Sequence, residues 1–226
     1  MSGVFPKWMN ALPTIGAVAA LGGLTAVVWG TWYWATPDFF EVGYMPTQPG
    51  GGFNHQIHAG KLGMDCRYCH TKIEQSAEAN IPNVATCLGC HTDGRLSQKF
   101  DPGEKVRFIR DAYERDESVR WRRVHKLPDY VRNFPHAAHL RAGVSCYSCH
   151  GQITAMPVVY QRYGLGMGWC LDCHRDAGKN IVPHERITDL QWVQHTLSDP
   201  QQRADGQALF DSLGLDPPQN CAACHN

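Results

Sequence analysis

FNHQIHAGKLGMDCRYCH, Phe53 to His70, packs three histidines and two cysteines into eighteen residues. Its end, Cys66-Arg67-Tyr68-Cys69-His70, is a C-x-x-C-H motif. The motif recurs at Cys87-Cys90-His91, Cys146-Cys149-His150, Cys170-Cys173-His174 and Cys221-Cys224-His225. These five pairs use all ten cysteines, so none remains for a disulfide. C-x-x-C-H is the attachment signature of c-type haem: two thiols reach the two vinyl groups of one porphyrin, and the next residue brings an imidazole to the iron. Structural zinc also uses C-x-x-C, but it takes such pairs two at a time and gives no reason for a histidine after each. The expected cofactors are therefore five covalently bound haem c groups. Their proximal iron ligands are His70, His91, His150, His174 and His225.

The stretch has a partner further on. Phe53-x-His55-x-x-His58 precedes Cys66, and Phe134-x-His136-x-x-His139 precedes Cys146. Each unit then carries a second motif, at Cys87 and at Cys170. Repetition at this scale marks a repeated supersecondary unit. It divides the chain into di-haem module 1 (53–95), a charged connecting helix region (96–132), di-haem module 2 (133–178) and a C-terminal segment with the fifth haem (179–226). Partial helical periodicity runs from Lys105 to Val124 through Val106, Ile109, Tyr113 and Trp121. Arginines there suit ion pairing with haem propionates.

Upstream, no charged residue occurs from Trp8 to Pro37. The run Thr14–Thr36 spans about 34 Å as a helix, enough for a bilayer. Residues 1–13 form a short cytoplasmic N-terminus, 14–36 a transmembrane helix and 37–52 a Pro/Gly-rich linker or extended strip. The competing assignment is a cleaved signal peptide, whose apolar region is normally shorter. Trp29, Trp32, Tyr33 and Trp34 cluster as an interfacial belt does. Gly16, Gly22, Gly23 and Gly30 allow close packing on another membrane helix or are ordinary membrane-helix composition. Haem attachment occurs outside the cytoplasmic membrane, so the C-terminal part faces the periplasmic side of a single-pass inner-membrane protein. Lys7 before the helix and Asp38 and Glu41 after it agree with that orientation.

Lysine plus arginine equals aspartate plus glutamate, 21 each, and no basic run points to nucleic acid. With so few aliphatic residues past the helix, the porphyrins must fill much of the interior. The expected fold class is a multihaem c-type cytochrome: one N-terminal transmembrane helix, then a haem-packed, sparse-helix, loop-rich extracytoplasmic domain. The apo-chain is not expected to fold.

Seven histidines lie outside the motifs: His55, His58, His125, His136, His139, His184 and His195. Six-coordinate iron needs a ligand on each face. Residues i and i+3 share one helix face, so His55 and His58 cannot ligate one iron from opposite sides. They can serve two neighbouring haems, and so can His136 and His139. The pattern resembles the F-x-H-x-x-H element of small multihaem cytochromes of the class III and triheme type. That resemblance implies His55 on the Cys66 haem, His58 on the Cys87 haem, His136 on the Cys146 haem and His139 on the Cys170 haem. For the fifth haem His125 is the first choice of sixth ligand, with His195, Met156 and Met167 as rivals. His184, between Pro183 and Glu185, reads as a surface residue.

One helix followed by motifs in a 2+2+1 layout resembles the pentahaem cytochrome c subunit of alternative complex III, a quinol:electron-acceptor oxidoreductase. The resemblance rests on FNHQIHAGKLGMDCRYCH, WRRVHKLPDYVRNFPHAAHLRAGVSCYSCHGQI and GMGWCLDCHR, covering about Phe53 to Arg175. It implies an electron-transfer subunit that is not an enzyme by itself. Implied partners are polytopic quinol-binding membrane subunits, an iron–sulfur subunit, and a monohaem cytochrome c or other soluble carrier. The residues agree on one point: no motif is C-x-x-C-K, and no paired-carboxylate or Ser-His-Asp site stands out. Two alternatives stay open: a stand-alone membrane-anchored multihaem quinol dehydrogenase, and a multihaem reductase with an open haem.

Overall fold

The computed structural model describes residues 6–35, 42–97, 103–127, 131 and 134–225. Asp38 and Glu41, invoked above for orientation, lie outside the described residues.

A short 3₁₀ turn, Lys7–Ala11, leads into helix α1, Leu12–Ala35. The helix starts two residues before the expected Thr14, because Pro13 lacks an N–H and is tolerated in a first turn where none is needed. Its apolar side chains are exposed: Val18 by 67% and Leu21 by 68%. Its length and composition suit a bilayer span, and a signal sequence passes the same test.

The rest is loop-rich. Among the described residues, β structure is confined to one antiparallel bridge, Val144 with Ile181. Module 1 holds a π-helical turn, Gln56–Lys61, then α2 (Cys66–Cys69) and α3 (Val84–His91). Among its described residues, the connecting region forms a 3₁₀ turn, Gly103–Val106, and α4, Arg107–Glu114, less than the Lys105–Val124 periodicity implied. Ile109 and Ala112 are buried, but Asp116-Glu117-Ser118 offers no apolar side chain to extend that face. The chain turns out through Asp116 in the left-handed conformation, φ 53°. Tyr113, counted above as part of the apolar face, is 55% exposed. Four arginines of this region pair with protein carboxylates: Arg107 with Glu104, Arg110 with Asp93, Arg115 with Glu117 and Arg123 with Glu78.

Module 2 holds α5 (His136–Arg141), α6 (Cys146–His150) and α7 (Met167–Arg175). The C-terminal segment adds α8 (Leu190–Thr196), α9 (Pro200–Ser212) and α10 (Cys221–Cys224). This segment is more than a tail. Val182, Ile187 and Val193 join Leu140 in the apolar core, with Ile73, Tyr147 and Trp192 packed against it. α9 docks on the turn Gly178–Asn180, where Gly206 faces the carbonyls of Gly178 and Ile181.

The modules are not separate bodies. Gln56 N–H donates to the Met156 carbonyl, Ala137 N–H to that of Ser76, and the Thr188 hydroxyl to Asp65. The strip before module 1 is pinned as well. Gly43 and Tyr44 pair through their backbone with Gln161, and the Gln48 side chain both donates to and accepts from Arg122 backbone. Gln161 is fully buried, and its Oε1 also accepts from Lys126 N–H.

Candidate functional site: five C-x-x-C-H turns and their imidazole pairs

Each C-x-x-C-H motif begins on a helical turn, which sets its two cysteines three residues apart on one face. Four of the five turns start at a side-chain cap. Asp65, Asn83, Ser145 and Asn220 accept N–H bonds from Arg67, Thr86, Tyr147 and Ala223. Three of these caps directly precede the first cysteine. That signal was legible in the sequence, since Asp, Ser and Asn are preferred N-caps, but the reading above passed over it.

The F-x-H-x-x-H elements form near-identical ring clusters. Phe53 meets His55 edge-on at 4.8 Å and stacks on His58 at 4.3 Å. Phe134 meets His136 edge-on at 4.9 Å and stacks on His139 at 4.6 Å. One phenyl ring thus braces two imidazoles. The two elements differ in backbone. His58 lies eight residues before Cys66, and His139 seven before Cys146. Gly63 and Gly143, both at positive φ and both three residues before their cysteine, bring the two repeats back into register. The extra residue therefore falls between His58 and Gly63, where the chain makes a π turn. The corresponding α5 is a regular α-helix.

Ring nitrogens of His58, His139, His70, His136 and His174 meet backbone carbonyls. Nδ1 of His58 lies 2.9 Å from the Asn54 carbonyl, and that of His139 lies 3.0 Å from Pro135. His70 Nδ1 reaches Asn80 at 2.6 Å, His136 Nδ1 reaches Ala77 at 2.8 Å, and His174 Nδ1 reaches Pro218 at 2.6 Å. A carbonyl only accepts, so Nδ1 carries the proton in each ring and the Nε2 lone pair is left for a metal. This is the outer-shell bond that orients a ligating histidine.

The rings then pair. Centroids of His58 and His91 lie 6.1 Å apart, those of His136 and His150 6.4 Å, and those of His139 and His174 6.2 Å. An iron between two imidazoles needs about 2 Å per iron–nitrogen bond and about 1.1 Å from each nitrogen to its ring centre, or about 6.2 Å in all. The residues present therefore fit a haem iron bound on both faces. His55 is held neutral, with its pKa lowered to about 4 by burial first and then by the adjacent His70 and His58. Burial also lowers His139, and burial with His125 and His136 close by holds His150 well below the ordinary range. A neutral imidazole is the form that binds a metal.

His125 is brought to the Cys146 motif. Its ring lies edge-on to His150 at 4.2 Å, too close for the two to share an iron. Its Nε2 is buried with no hydrogen-bond partner, and burial lowers its pKa to about 4. Of the other candidates for the fifth haem, Met156 is buried, while Met167 and His195 are exposed. His184 is exposed, with its Nε2 3.5 Å from Glu74.

Attachment motifs, carbonyl-anchored imidazoles and ring pairs at an iron-spanning distance on a helix-poor fold are an arrangement that suits covalently attached haem c. Comparison with known proteins points the same way. Residues 132–226 match the family model described as cytochrome c7 and related cytochrome c. Over 130 residues, 58% of the chain, the sequence is 34% identical to the menaquinone reductase multiheme cytochrome c subunit of Nitratidesulfovibrio vulgaris. The match covers 56% of that relative's length.

Proposed function

We propose that this chain is a membrane-anchored pentahaem electron-transfer subunit of a quinol-linked respiratory or photosynthetic complex, of the kind found in alternative complex III. It is not an enzyme by itself, and it relays electrons toward a cytochrome c or other periplasmic acceptor. The observation that carries this reading is the set of three imidazole pairs at 6.1 to 6.4 Å. Haem, once attached, supplies reversible one-electron chemistry at iron, with a potential tuned by ligand, burial and nearby charge. The chain's residues do the rest. The ten cysteines fix position. His70, His91, His150, His174 and His225 would each hold one iron. His55, His58, His136 and His139 would supply a second ligand to the first four. In this reading α1 holds the protein in the inner membrane beside quinone-binding and iron–sulfur subunits, with the haem domain on the periplasmic face.

A second reading concerns direction. The relative is named a menaquinone reductase subunit, and the same relay can deliver electrons to a quinone as well as remove them from a quinol.

Gentle detergent extraction tests both. The expected result is a complex in which this chain carries five haems, all low-spin and none binding carbon monoxide, and is reduced by menaquinol only when its membrane partners are present. Rapid reduction of the purified chain alone would instead identify a stand-alone quinol dehydrogenase. Carbon monoxide binding to one native haem would identify a reductase with an open iron. Faster turnover from a reduced periplasmic carrier to menaquinone than the reverse selects the second direction.

A further inference from the structure

We propose that the attachment motifs are strung in space in the order Cys87, Cys66, Cys146, Cys170, Cys221, so that the two modules meet through their first motifs and the relay ends at the Cys87 and Cys221 sites. This order rests on the reading that all five motifs carry haem, and it departs from the order along the chain.

Each link has its own contact. Within module 1, Cys69 lies near Cys87, and the π turn carries His55 beside His70 and His58 beside His91. Between modules, the caps of the two first motifs are tied through adjacent residues: the Ser145 hydroxyl and the Cys146 N–H donate to the Ile187 carbonyl, and the Thr188 hydroxyl donates to Asp65. The same junction holds His136, whose ring and backbone both reach the Ala77 carbonyl of module 1, and it brings His55 and His70 close to His150. Within module 2, Cys149 neighbours Cys173 and Cys170, and α5 presents His136 to His150 and His139 to His174. The last link is the Nδ1 bond of His174 to the Pro218 carbonyl, three residues before Cys221.

A sequential order would seat the Cys87 motif against the Cys146 motif, yet the residues tied to the Cys146 turn across the junction are the cap of the Cys66 turn, Asp65, through Thr188 and Ile187. Exposure gives an independent check. Of the ten cysteines, the exposed ones are Cys90 and Cys221, which belong to the two motifs at the ends of the proposed order. A motif in the middle has neighbours on two sides, and an end motif has one.

Diffraction from crystals of the full-length holoprotein at the iron absorption edge tests the order directly. The expected map has five iron peaks in one unbranched series, with the shortest distance between modules separating the irons at Cys66 and Cys146. Five peaks with the Cys87 or Cys170 iron at that junction would overturn the order and leave the pentahaem reading standing. Fewer than five peaks would overturn both. In solution, proton cross-relaxation between haem methyl groups of the fully reduced holoprotein should connect the Cys66 and Cys146 haems. A Cys87–Cys146 connection in its place would overturn the order.

Discussion

His136 sends its backbone N–H and its ring Nδ1–H to one acceptor, the Ala77 carbonyl, at 3.2 and 2.8 Å. The imidazole facing His150 is thus oriented by the other module. His139, on the same helix, is oriented locally by Pro135. The two should respond differently to substitution. His136→Ala is expected to yield one high-spin, carbon-monoxide-binding haem and also to lower the denaturation midpoint, because the junction loses a bond to a positioned carbonyl. His139→Ala should yield one high-spin haem with a smaller loss of stability. Equal midpoints for the two variants would show that the Ala77 contact carries no weight.

His58 stands 6.1 Å from His91 and has no such pairing with His70. His58→Ala should perturb the Cys87 haem more than the Cys66 haem. Its difference spectrum should therefore match that of His91→Met in band position. A match to His70→Met would reverse the assignment.

Phe134 braces two imidazoles, stacked on His139 and edge-on to His136. Phe134→Leu keeps much of the apolar bulk, so its cost should be about 1 kcal/mol. With the brace gone, both rings are free to rotate about their iron bonds. Electron paramagnetic resonance should show shifted g-values for two haems, both still low-spin. A spectrum unchanged from the parent would remove Phe134 from the positioning set.

Asp65 caps the Cys66 turn. The Arg67 side chain beside it is the main reason its pKa falls from 3.8 to about 2, with Thr188 adding a further bond. A carboxylate lowered on folding contributes stability that is complete above about pH 4 and is lost as pH falls through 2. At 42% side-chain exposure the contribution is screened to about 1 kcal/mol. Asp65→Asn should lower the urea midpoint at pH 6 and leave it close to the parent's at pH 2. A deficit of the same size at both values would mean that the ion pair is not the cause.

Gly206 sits in α9 with the Gly178 and Ile181 carbonyls both 2.6 Å from where a Cβ would stand. Alanine favours a helix by about 1 kcal/mol over glycine, but overpacking against backbone costs about 1 to 3 kcal/mol. The clash should win, so Gly206→Ala is expected to lower thermal stability. A stabilised variant would show that α9 shifts freely on its turn.

Much of the site is local in sequence and was legible there. A C-x-x-C-H turn and an F-x-H-x-x-H element each place their chemistry within a few residues, so spacing alone exposes them. The acceptors that orient the rings are another matter. Ala77, Asn80 and Pro218 act through carbonyl oxygens, which every residue has, so nothing in their side chains marks them. His125 was singled out from the sequence, but its place beside His150 was not legible there, because it is set by the path of the chain through Lys126 and the buried Gln161. The core supplied by Val182, Ile187 and Val193 was missed because its apolar residues are spread over short turns with no sustained period. Most of α4's expected length failed for the opposite reason: a polar run looked periodic where no neighbour was present to bury it.

The π turn at Gln56–Lys61 has a bearing on how such a protein can change length. With haem attached as proposed, both ends of each repeat would be moored, one by imidazoles and the other by thioethers, so neither could slide. The slack between them is a few residues ending at Gly63 in the first repeat and at Gly143 in the second. The first repeat holds one residue more and takes it up as a wider helical turn, without moving a histidine. Insertion and deletion are thus channelled to one short splice between the last imidazole and the glycine. Deleting Lys61 should tighten the turn to the α form of the second repeat, whereas a deletion between Gly63 and Cys66 should cost the attachment itself.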